Sequence, residues 1–501
     1  MRSGRRGLHF GVHGTGARRW AALSLAAVLL GGLAAGAAAG APRLDDSAAG
    51  SGFHTHSAAD GEQDVNVCSD AVPAGEAHCL AHVRVDAAAR TRVPTRPGAP
   101  GGASVPVRPG AVGGANATLG NAGAYDPSWL QSAYNLPSAA GGAGKGQTVA
   151  IVDAYDDPTA AADLSAYRAF FGLPACTAGC FTKVDEHGGT AYPQANAGWS
   201  QEISLDLDMV SAVCANCKIV LVEAASAYMT DLGTAVNTAV SLGATVVSNS
   251  YGSSEYSSEV ADTTHYFTHP GVAIVASSGD AGYGVEFPAA SNTVTAVGGT
   301  SLLQNTDTGT RNATETAWSG AGSGCSAFEA KPAWQVNAGC SNRTVADVSA
   351  VADPNTGVWV YDTYGTGGSW LIFGGTSVAA PIVGSVYALA GNGASSNTLA
   401  QYPYLRPGPL NDVTSGANGS CSPSLLCTAG PGYDGPTGLG TPNGTTAFSP
   451  LAVGPTPPTQ PTSPSATPGN ASVTLAWSPP ASAGTATVTS YNVYRGTSPG
   501  T

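Results

Sequence analysis

Charged side chains are scarce in this sequence, and basic ones are scarcer than acidic ones. Only 11% of the 501 residues are charged, and 20 Lys and Arg stand against 33 Asp and Glu, for a formal net charge of −13. A protein that binds nucleic acid needs a basic face to neutralise phosphates, so this balance argues against that class. Aromatic residues make up only 7% of the chain, yet 43% of the residues are hydrophobic. That proportion argues against a disordered, collagen-like or coiled-coil chain.

Long hydrophobic runs are also rare, and the one that occurs lies at the amino terminus. Trp20–Ala39 is apolar, rich in Ala and Leu, and ends in Ala-x-Ala. Five arginines and no acidic residue precede it: Arg2, Arg5, Arg6, Arg18 and Arg19. This arrangement predicts a signal peptide over residues 1–41 and a secreted protein, with no membrane contact after cleavage. An uncleaved membrane anchor is the alternative.

Cysteine, by contrast, occurs ten times, and the residues fall into five pairs that are close in sequence. In a secreted protein such pairs predict disulfides that close loops. The predicted pairs are Cys68/Cys79, Cys176/Cys180, Cys214/Cys217, Cys325/Cys340 and Cys421/Cys427. The alternatives are a tetrahedral zinc site formed by the thiolates of the second and third pairs, and a redox role for Cys214 and Cys217.

Composition divides the rest of the chain into four parts. Residues 42–124 are read as a short pro-segment followed by a linker rich in Ala, Pro and Gly, which cannot bury a core. Residues 125–451 are expected to form one large globular domain. Residues 452–470 are expected to be a solvated Pro/Thr/Ser linker. Residues 471–501 contain segments with the two-residue alternation of β-strands.

The globular part alternates short β-branched runs with helical patterns. This alternation predicts an α/β fold with a parallel sheet that is covered on both faces. The predicted strands are Thr148–Asp153, Lys218–Glu223, Thr245–Asn249 and Val272–Ala276, and the predicted helices are 158–171, 200–213, 229–242 and 254–268. Functional residues in such sheets gather where the strands end, at the carboxyl edge.

One motif places a serine at the start of a helix. In Gly374-Gly-Thr-Ser-Val-Ala-Ala-Pro381, Ser377 opens an Ala-rich helical pattern. Backbone N–H groups at a helix N-terminus can stabilise an oxyanion that develops beside a nucleophile. The alternative is an ordinary N-cap formed by Thr376 or Ser377. The pattern Gly-Thr-Ser-x-x-x-Pro closely resembles the nucleophile motif of the subtilisin-like clan of serine peptidases.

A serine nucleophile needs a base, and the sequence offers two candidates. His187, with Asp153, superficially resembles the His and Asp of subtilisins. Glu202 and Asp206 are favoured, because residues four apart on a helix project from the same side and few basic residues lie nearby to pair with them. A solvated acidic face is the alternative. Asp208 points elsewhere on this helix and is predicted to lie at the surface.

Asp280 completes the candidate set. It lies in Ser277-Ser-Gly-Asp280, after a predicted strand, where subtilisins carry an Asn whose amide contributes to the oxyanion hole. An ionised carboxylate cannot donate a hydrogen bond, so Asp280 would serve only when it is protonated. The alternative is an Asp that caps a turn. An acidic base and an acidic oxyanion donor together favour catalysis under acidic conditions.

With these motifs in this order, the chain resembles the sedolisin (serine-carboxyl peptidase) family over about residues 125–446. The resemblance implies a subtilisin-like fold of three αβα layers and an endopeptidase that acts on proteins or peptides through an acyl-enzyme. It implies that Glu202 is the general base for Ser377 and that Asp206 hydrogen-bonds and orients Glu202. Protonated Asp280 would serve the oxyanion. The resemblance also assigns the substrate-binding edge of the cleft to Ser248, Asn249, Ser250 and Gly252.

The family resemblance further implies one bound Ca²⁺ near the carboxyl end. Two segments, 411–413 and 430–434, offer the carboxylate and carbonyl oxygens that calcium prefers, and their glycines let carbonyls turn inward. The implied ligands are Asp412, Val413, Gly430, Gly432 and Asp434. A Gly/Pro-rich surface loop is the alternative.

Two features depart from the family pattern. Members usually carry a long folded propeptide, whereas residues 42–124 are short, so their role in inhibition stays open. The tail, in 471–477 and 488–494, resembles the first strands of a fibronectin type III domain, which has about seven strands.

Two other functions also stay open: a His187-dependent subtilisin-like protease, and a catalytically inactive protein that serves adhesion or binding. A monomer is expected.

Overall fold

The computed structural model describes residues 55–57, 63–69, 72–73, 75–85, 124–177, 179–303, 311, 314–336, 339–391, 398–450, 459–482, 488–491 and 493. The signal peptide expected at 1–41 and the linker at 87–123 lie outside these residues. The helices are α1 (Pro127–Ala133), α2 (Ala160–Phe171), α3 (Ala197–Val213), α4 (Met229–Ser241), α5 (Glu259–Asp262), α6 (Thr376–Ala390) and α7 (Tyr402–Leu405). The strands are β1 (Thr55–Ser57), β2 (Gln63–Asn66), β3 (His78–Cys79), β4 (His82–Arg84), β5 (Thr148–Ala154), β6 (Phe181–Asp185), β7 (Lys218–Ala224), β8 (Val246–Asn249), β9 (Tyr251–Ser254), β10 (Ala273–Ser277), β11 (Glu286–Phe287), β12 (Thr295–Ser301), β13 (Thr316–Ala317), β14 (Gly324–Ala330), β15 (Asn342–Val345), β16 (Val348–Val351), β17 (Val358–Asp362), β18 (Ser369–Gly374), β19 (Thr462–Gly469) and β20 (Ser472–Ser478).

The central sheet has eight strands in the order β13-β12-β10-β8-β5-β7-β6, with β16 also paired to β12. Every neighbouring pair in it is parallel except β12 with β13. The inner strands are almost wholly buried, as in a parallel sheet with helices on both faces. The predicted α/β fold is confirmed.

Alternate residues of β5 show how the two faces are covered. Val149 and Ile151 belong to a hydrophobic cluster that includes α3 and α6. Ala150 and Val152 belong to a second cluster, on the other face, that includes α4. Side chains in a strand alternate between the faces of its sheet, so a continuous apolar run is what a middle layer requires. The result is the three αβα layers that the sequence resemblance implies.

Strands from the amino-terminal part of the chain join this domain. A five-stranded sheet has the order β1-β2-β4-β18-β17, and β3 pairs with β9, which pairs in turn with β11. Part of the segment 42–124 is therefore built into the same domain as the central sheet.

Each of the four predicted strands is present, with its ends within one residue of the prediction, and three of the four predicted helices are present as α2, α3 and α4. The prediction for 254–268 is only partly right, because the segment forms the short helix α5 and a π-helical turn over Thr263–Phe267. Within the described residues, no helix has both the length and the apolar character needed to cross a bilayer.

The tail differs from its prediction in two places. Thr462–Gly469, read as part of a linker, is a strand that pairs with β20. The described residues among 488–494 lie outside any strand. Trp477 and Tyr491, the aromatic residues expected to pack, do meet, with ring centroids 5.4 Å apart. These two strands do not show a fibronectin type III domain.

All five predicted disulfides are formed, and no cysteine is left free. The four cysteines of the alternative zinc site are consumed in two of these bonds, Cys176–Cys180 and Cys214–Cys217. A disulfide sulfur has no thiolate to offer a metal, so the structure favours the disulfide interpretation.

Candidate active site

Ser377 lies in the first turn of α6, directly after β18. The turn between them passes through Gly375, whose φ is +95° and whose added Cβ would lie 1.9 Å from the carbonyl oxygen of Leu80. A side chain at this position would therefore be excluded both by backbone strain and by contact. The backbone N–H of Ser377 is one of the first-turn donors that no carbonyl of α6 can accept, so it is oriented for an anion.

The hydroxyl of Ser377 donates a hydrogen bond to Oε2 of Glu202 at 2.9 Å. Glu202 projects from α3, which begins where the side chain of Asn196 accepts hydrogen bonds from two N–H groups of the first turn. Ser377 and Glu202 are both fully buried. A serine hydroxyl and a carboxylate are thus in direct contact, an arrangement in which the carboxylate could accept the serine proton.

Asp206 lies one turn further along α3. Both of its carboxylate oxygens are 2.8 Å from the hydroxyl of Ser250, at the end of β8. Asp153, at the end of β5, is also fully buried, and its oxygens have no hydrogen-bond partner in the described part of the chain. The carboxyl ends of two parallel strands and one face of α3 therefore bring three carboxyl groups together.

Burial raises the pKa of each of these three carboxyl groups well above its usual range. For Glu202, burial is the largest cause of the raised pKa, and repulsion from Asp206 and Asp153 raises it further. The hydrogen bond from Ser377 lowers it. For Asp206, burial raises the pKa and the hydrogen bond from Ser250 opposes it. For Asp153, burial is reinforced by Asp206 and Glu223. Each carboxyl group of this buried cluster therefore binds a proton more readily than an exposed carboxyl group does.

Asp280 approaches Ser377 from the turn after β10. Its Oδ1 accepts hydrogen bonds from the backbone N–H of Thr376 at 2.8 Å and from the Thr376 hydroxyl at 2.7 Å. Burial raises the pKa of Asp280 to about 6, while His82 and the bonds from Thr376 oppose the rise. Its Oδ2 accepts no hydrogen bond from the described residues. A proton on that oxygen would make Asp280 a donor beside the first turn of α6.

His187 does not lie in this site. Its side chain is 76% exposed, and Nε2 contacts Glu186 at 3.4 Å. The subtilisin-like alternative pairs His187 with Asp153. In the structure, Asp153 lies instead in the buried cluster of three carboxyl groups, with Glu202 and Asp206. The geometry therefore favours a carboxylate base over an imidazole base.

Asp208 was predicted to lie at the surface, and that prediction is wrong. Its side chain is 1% exposed and accepts a hydrogen bond from the backbone N–H of Tyr361. Helix α3 is covered by α2, β17 and α6 as well as by the sheet, so the side opposite the site is also buried.

The four residues expected at the substrate edge fall into two groups. Ser248 is buried within β8, and Asn249 uses its amide to bond the carbonyl of Val275. Ser250 and Gly252 lie on the side of β8 and β9 where residues 78–80 pair with the chain. Ser248 and Asn249 pair instead with β5 and β10 inside the central sheet, so only Ser250 and Gly252 present backbone groups to residues 78–80.

The expected calcium ligands lie in two loops that contact each other. The carboxylate of Asp412 accepts hydrogen bonds from the N–H of Gly432, at 3.0 Å and 3.2 Å. Asp434 accepts one from the N–H of Gly430 at 3.0 Å. Val413 is buried beside them. Carboxylate and carbonyl oxygens are the ligands that calcium prefers, so the chemistry of these two loops suits that ion. Among the described residues, however, no three His, Cys, Asp or Glu side chains gather as a metal cluster.

Sequence reasoning missed three residues that lie at the site: Asp153, Thr376 and His82. Asp153 was assigned to the alternative pair, and Thr376 was considered only as a cap. His82 precedes the globular part of the sequence, yet it is buried with Nε2 3.4 Å from Asp280 Oδ2. Only the pairing of β4 with β18 brings it there, and no local signal predicts that pairing.

Comparison with known proteins agrees with this architecture. A sequence profile described as "Subtilase family" matches residues 183–404. Kumamolisin from Bacillus sp. (strain MN-32) is 32% identical over 366 residues, which cover 64% of this chain and 62% of kumamolisin. Sedolisin from Pseudomonas sp. (strain 101) is 34% identical over 178 residues, 32% of this chain and 29% of sedolisin. The aligned part of the chain thus spans less than two thirds of either relative.

The solved structure of Pseudomonas sedolisin, described as a serine-carboxyl proteinase in complex with two molecules of pseudo-iodotyrostatin, superposes with a TM-score of 0.55 at 26% identity. The match covers 64% of this chain and 95% of that one. This match shows that the chain shares the fold of that solved structure. Residues 183–404 thus match the subtilase family, and the chain is similar to kumamolisin and to sedolisin.

Proposed function

We propose that this protein is a secreted serine-carboxyl endopeptidase that hydrolyses peptide bonds of proteins or peptides under acidic conditions. The observation that supports it most is the 2.9 Å hydrogen bond from Ser377 Oγ to Glu202 Oε2. The amino-terminal basic and apolar segments and the five disulfides support secretion.

In the proposed reaction, Ser377 Oγ attacks the substrate carbonyl carbon as its proton moves to Glu202. The oxyanion forms beside the N–H of Ser377 and the protonated carboxyl of Asp280. Glu202 then gives its proton to the leaving amine, and an ester on Ser377 remains. Water attacks this ester with Glu202 again as base, which releases the acid and restores the hydroxyl. Asp206 and Asp153 hold protons next to Glu202, so one negative charge can be stabilised there.

The simplest test is hydrolysis of an unfolded protein, with the parent chain and a Ser377→Ala chain assayed side by side. We expect the parent to release peptides and the variant to release none above the background. Equal release by both chains would show that Ser377 is not the nucleophile. No release by either, under acidic and neutral conditions alike, would favour the inactive binding protein.

The buried carboxyl groups also predict how stability depends on pH. Asp280 has a pKa raised from 3.8 to about 6 in the folded chain, so between these values the folded chain binds more protons than the unfolded one. Its contribution is complete below the unfolded pKa and is lost as pH rises through about 6, a change of about 3 kcal/mol. In a Ser377→Ala background, urea unfolding should show lower stability at pH 7.5 than at pH 4.5. A further Asp280→Asn change should shrink that difference, and an unchanged difference would contradict the assignment.

We also propose one structural Ca²⁺, held by carboxylates of Asp412 and Asp434 and by carbonyls of Val413, Gly430 and Gly432. Bound calcium would hold the two loops together by neutralising their paired charges. An ion that binds only the folded chain stabilises it by about 2.7 kcal/mol at a hundred times its dissociation constant. We therefore expect calcium to raise the melting temperature of chelator-treated protein, with magnesium as the control ion. An Asp412→Asn chain should respond less, and an equal response would place the ion elsewhere.

A further inference from the structure

Thr376 directly precedes the candidate nucleophile, and its side chain is fully buried. The N-cap residue of α6 is Gly375, so Thr376 is not the helix cap that its residue type allows. Its hydroxyl contacts the turn after β10 instead, at Gly279 and Asp280. The hydroxyl of Thr376 therefore acts on that turn and not on its own helix.

The contacts around Thr376 fix the direction of its hydroxyl proton. Oγ1 lies 2.7 Å from Asp280 Oδ1 and 3.4 Å from the carbonyl oxygen of Gly279, and both of these atoms are acceptors. The N–H of Gly279 donates to Oγ1 at 3.3 Å. A hydroxyl has one proton to donate, and the contact with Asp280 is much the shorter of the two. Thr376 therefore donates to Asp280 Oδ1.

Both lone pairs of Asp280 Oδ1 are then in use. This oxygen accepts from the hydroxyl of Thr376 at 2.7 Å and from the backbone N–H of the same residue at 2.8 Å. A proton on Oδ1 would displace one of these two donors. Oδ2, by contrast, accepts no hydrogen bond from the described residues. When Asp280 is protonated, Oδ2 is therefore the oxygen that carries the proton.

Oδ2 borders the turn that leads into Ser377, because a Cβ added to Gly375 would lie 2.7 Å from it. The titratable groups that face Asp280 are His82 of β4, Glu286 of β11 and Glu202 of α3. His82 lowers the pKa of Asp280 and Glu286 raises it. Within the described part of the chain, both hydrogen bonds that Oδ1 accepts come from Thr376.

We propose that Thr376 is a positioning residue: its hydroxyl and its N–H together hold Asp280 Oδ1, so that Oδ2 carries the proton that is donated to the oxyanion. This inference rests on the proposed peptidase function, since it names the group that orients the acidic donor of that site. The hydroxyl also sets the pH range of the donor. A hydrogen bond to the ionised carboxylate favours that form, so Thr376 lowers the pKa of Asp280.

The test replaces the hydroxyl of Thr376 with a methyl group. In a Thr376→Val chain, Asp280 keeps the N–H donor and loses the hydroxyl donor. We expect kcat to fall roughly ten- to a hundredfold, because the proton of Asp280 is no longer held in one place. The pKa of Asp280 should rise without the hydroxyl, so the decline of kcat that the parent shows near pH 6 should move up by about one pH unit.

Two control chains separate positioning from a structural role. Thr376→Ser keeps the hydroxyl, so kcat should stay within a few-fold of the parent value and decline near pH 6. Thr263→Val removes a buried hydroxyl that donates to the buried carboxylate of Glu329, and should change neither quantity. A Thr376→Val chain with the kcat of the parent, or with its decline still near pH 6, would overturn the inference. If that chain does not fold, Thr376→Ala takes its place with the same expectations.

A titration without catalysis keeps this inference separate from the proposed function. It uses nuclear magnetic resonance of chains that carry Ser377→Ala and isotope-labelled aspartate, in which the signal of Asp280 is the one lost on Asp280→Asn. Its pKa should be about 6 beside Thr376 and about one pH unit higher in Thr376→Val. That rise without hydrolysis by the parent would reject the peptidase function and leave the hold of Thr376 on Asp280 standing. Hydrolysis by the parent with an unchanged titration would reject only the inference.

Discussion

A Glu202→Gln chain is expected to fold normally and to lose nearly all peptide hydrolysis. Glutamine keeps the size of the side chain and can still contact Ser377, which donates to Glu202 at 2.9 Å. It cannot take up a proton, and loss of a base in a serine peptidase lowers kcat by roughly 10⁴–10⁶. The measurement is kcat/KM on a peptide substrate at acidic pH.

Asp208→Asn is the matched control for this experiment. Asp208 lies on the same helix and is equally buried, but its carboxylate bonds the N–H of Tyr361. Asparagine can accept that bond as well, so we expect kcat/KM within a few-fold of the parent value. If the Glu202→Gln chain kept activity comparable to that of Asp208→Asn, Glu202 would not be the base.

Two substitutions at Asp280 should separate the charge of this residue from its hydrogen bond. Its pKa is raised to about 6, so the protonated, donating form is lost as pH rises through that value. The parent should therefore lose activity above about pH 6. Asparagine donates at every pH, so in the Asp280→Asn chain the decline should move to higher pH. Alanine donates nothing and should cost roughly 10²–10³ in kcat.

The comparison is a set of three profiles of kcat against pH, measured from acidic to mildly alkaline conditions. Identical profiles for the parent and Asp280→Asn would mean that the decline belongs to another group, such as the carboxyl cluster around Glu202. An Asp280→Ala chain as active as the parent would exclude Asp280 from the oxyanion site.

Much of the fold could be predicted because the relevant signals are local. The runs that became β5, β7, β8 and β10 are apolar on both faces, and only a strand inside a layered sheet buries both. Ser377, Glu202 and Asp280 could be predicted as site residues for a similar reason, since each lies in a short motif at the end of a strand or along one helix. The five disulfides join cysteines that are close in sequence.

The errors and omissions have a common physical cause, which is long-range packing. Asp208 was predicted to lie at the surface because it points away from the side of α3 that carries Glu202 and Asp206. In the structure, neighbouring elements enclose α3, so that side is buried as well. Asp153 joins Glu202 only because β5 lies at the centre of the sheet. The path of residues 76–84 depends on pairing with strands more than 160 residues away, which no periodicity within the segment can reveal.

The most direct test of the central claim is the rate at which Ser377 is acylated. A peptidyl nitrophenyl ester releases one equivalent of nitrophenol in a rapid burst when the hydroxyl is activated by a neighbouring base. The account predicts this burst in the parent and in a His187→Gln chain, and its loss in the Glu202→Gln chain. A burst that survives Glu202→Gln and disappears with His187→Gln would contradict it.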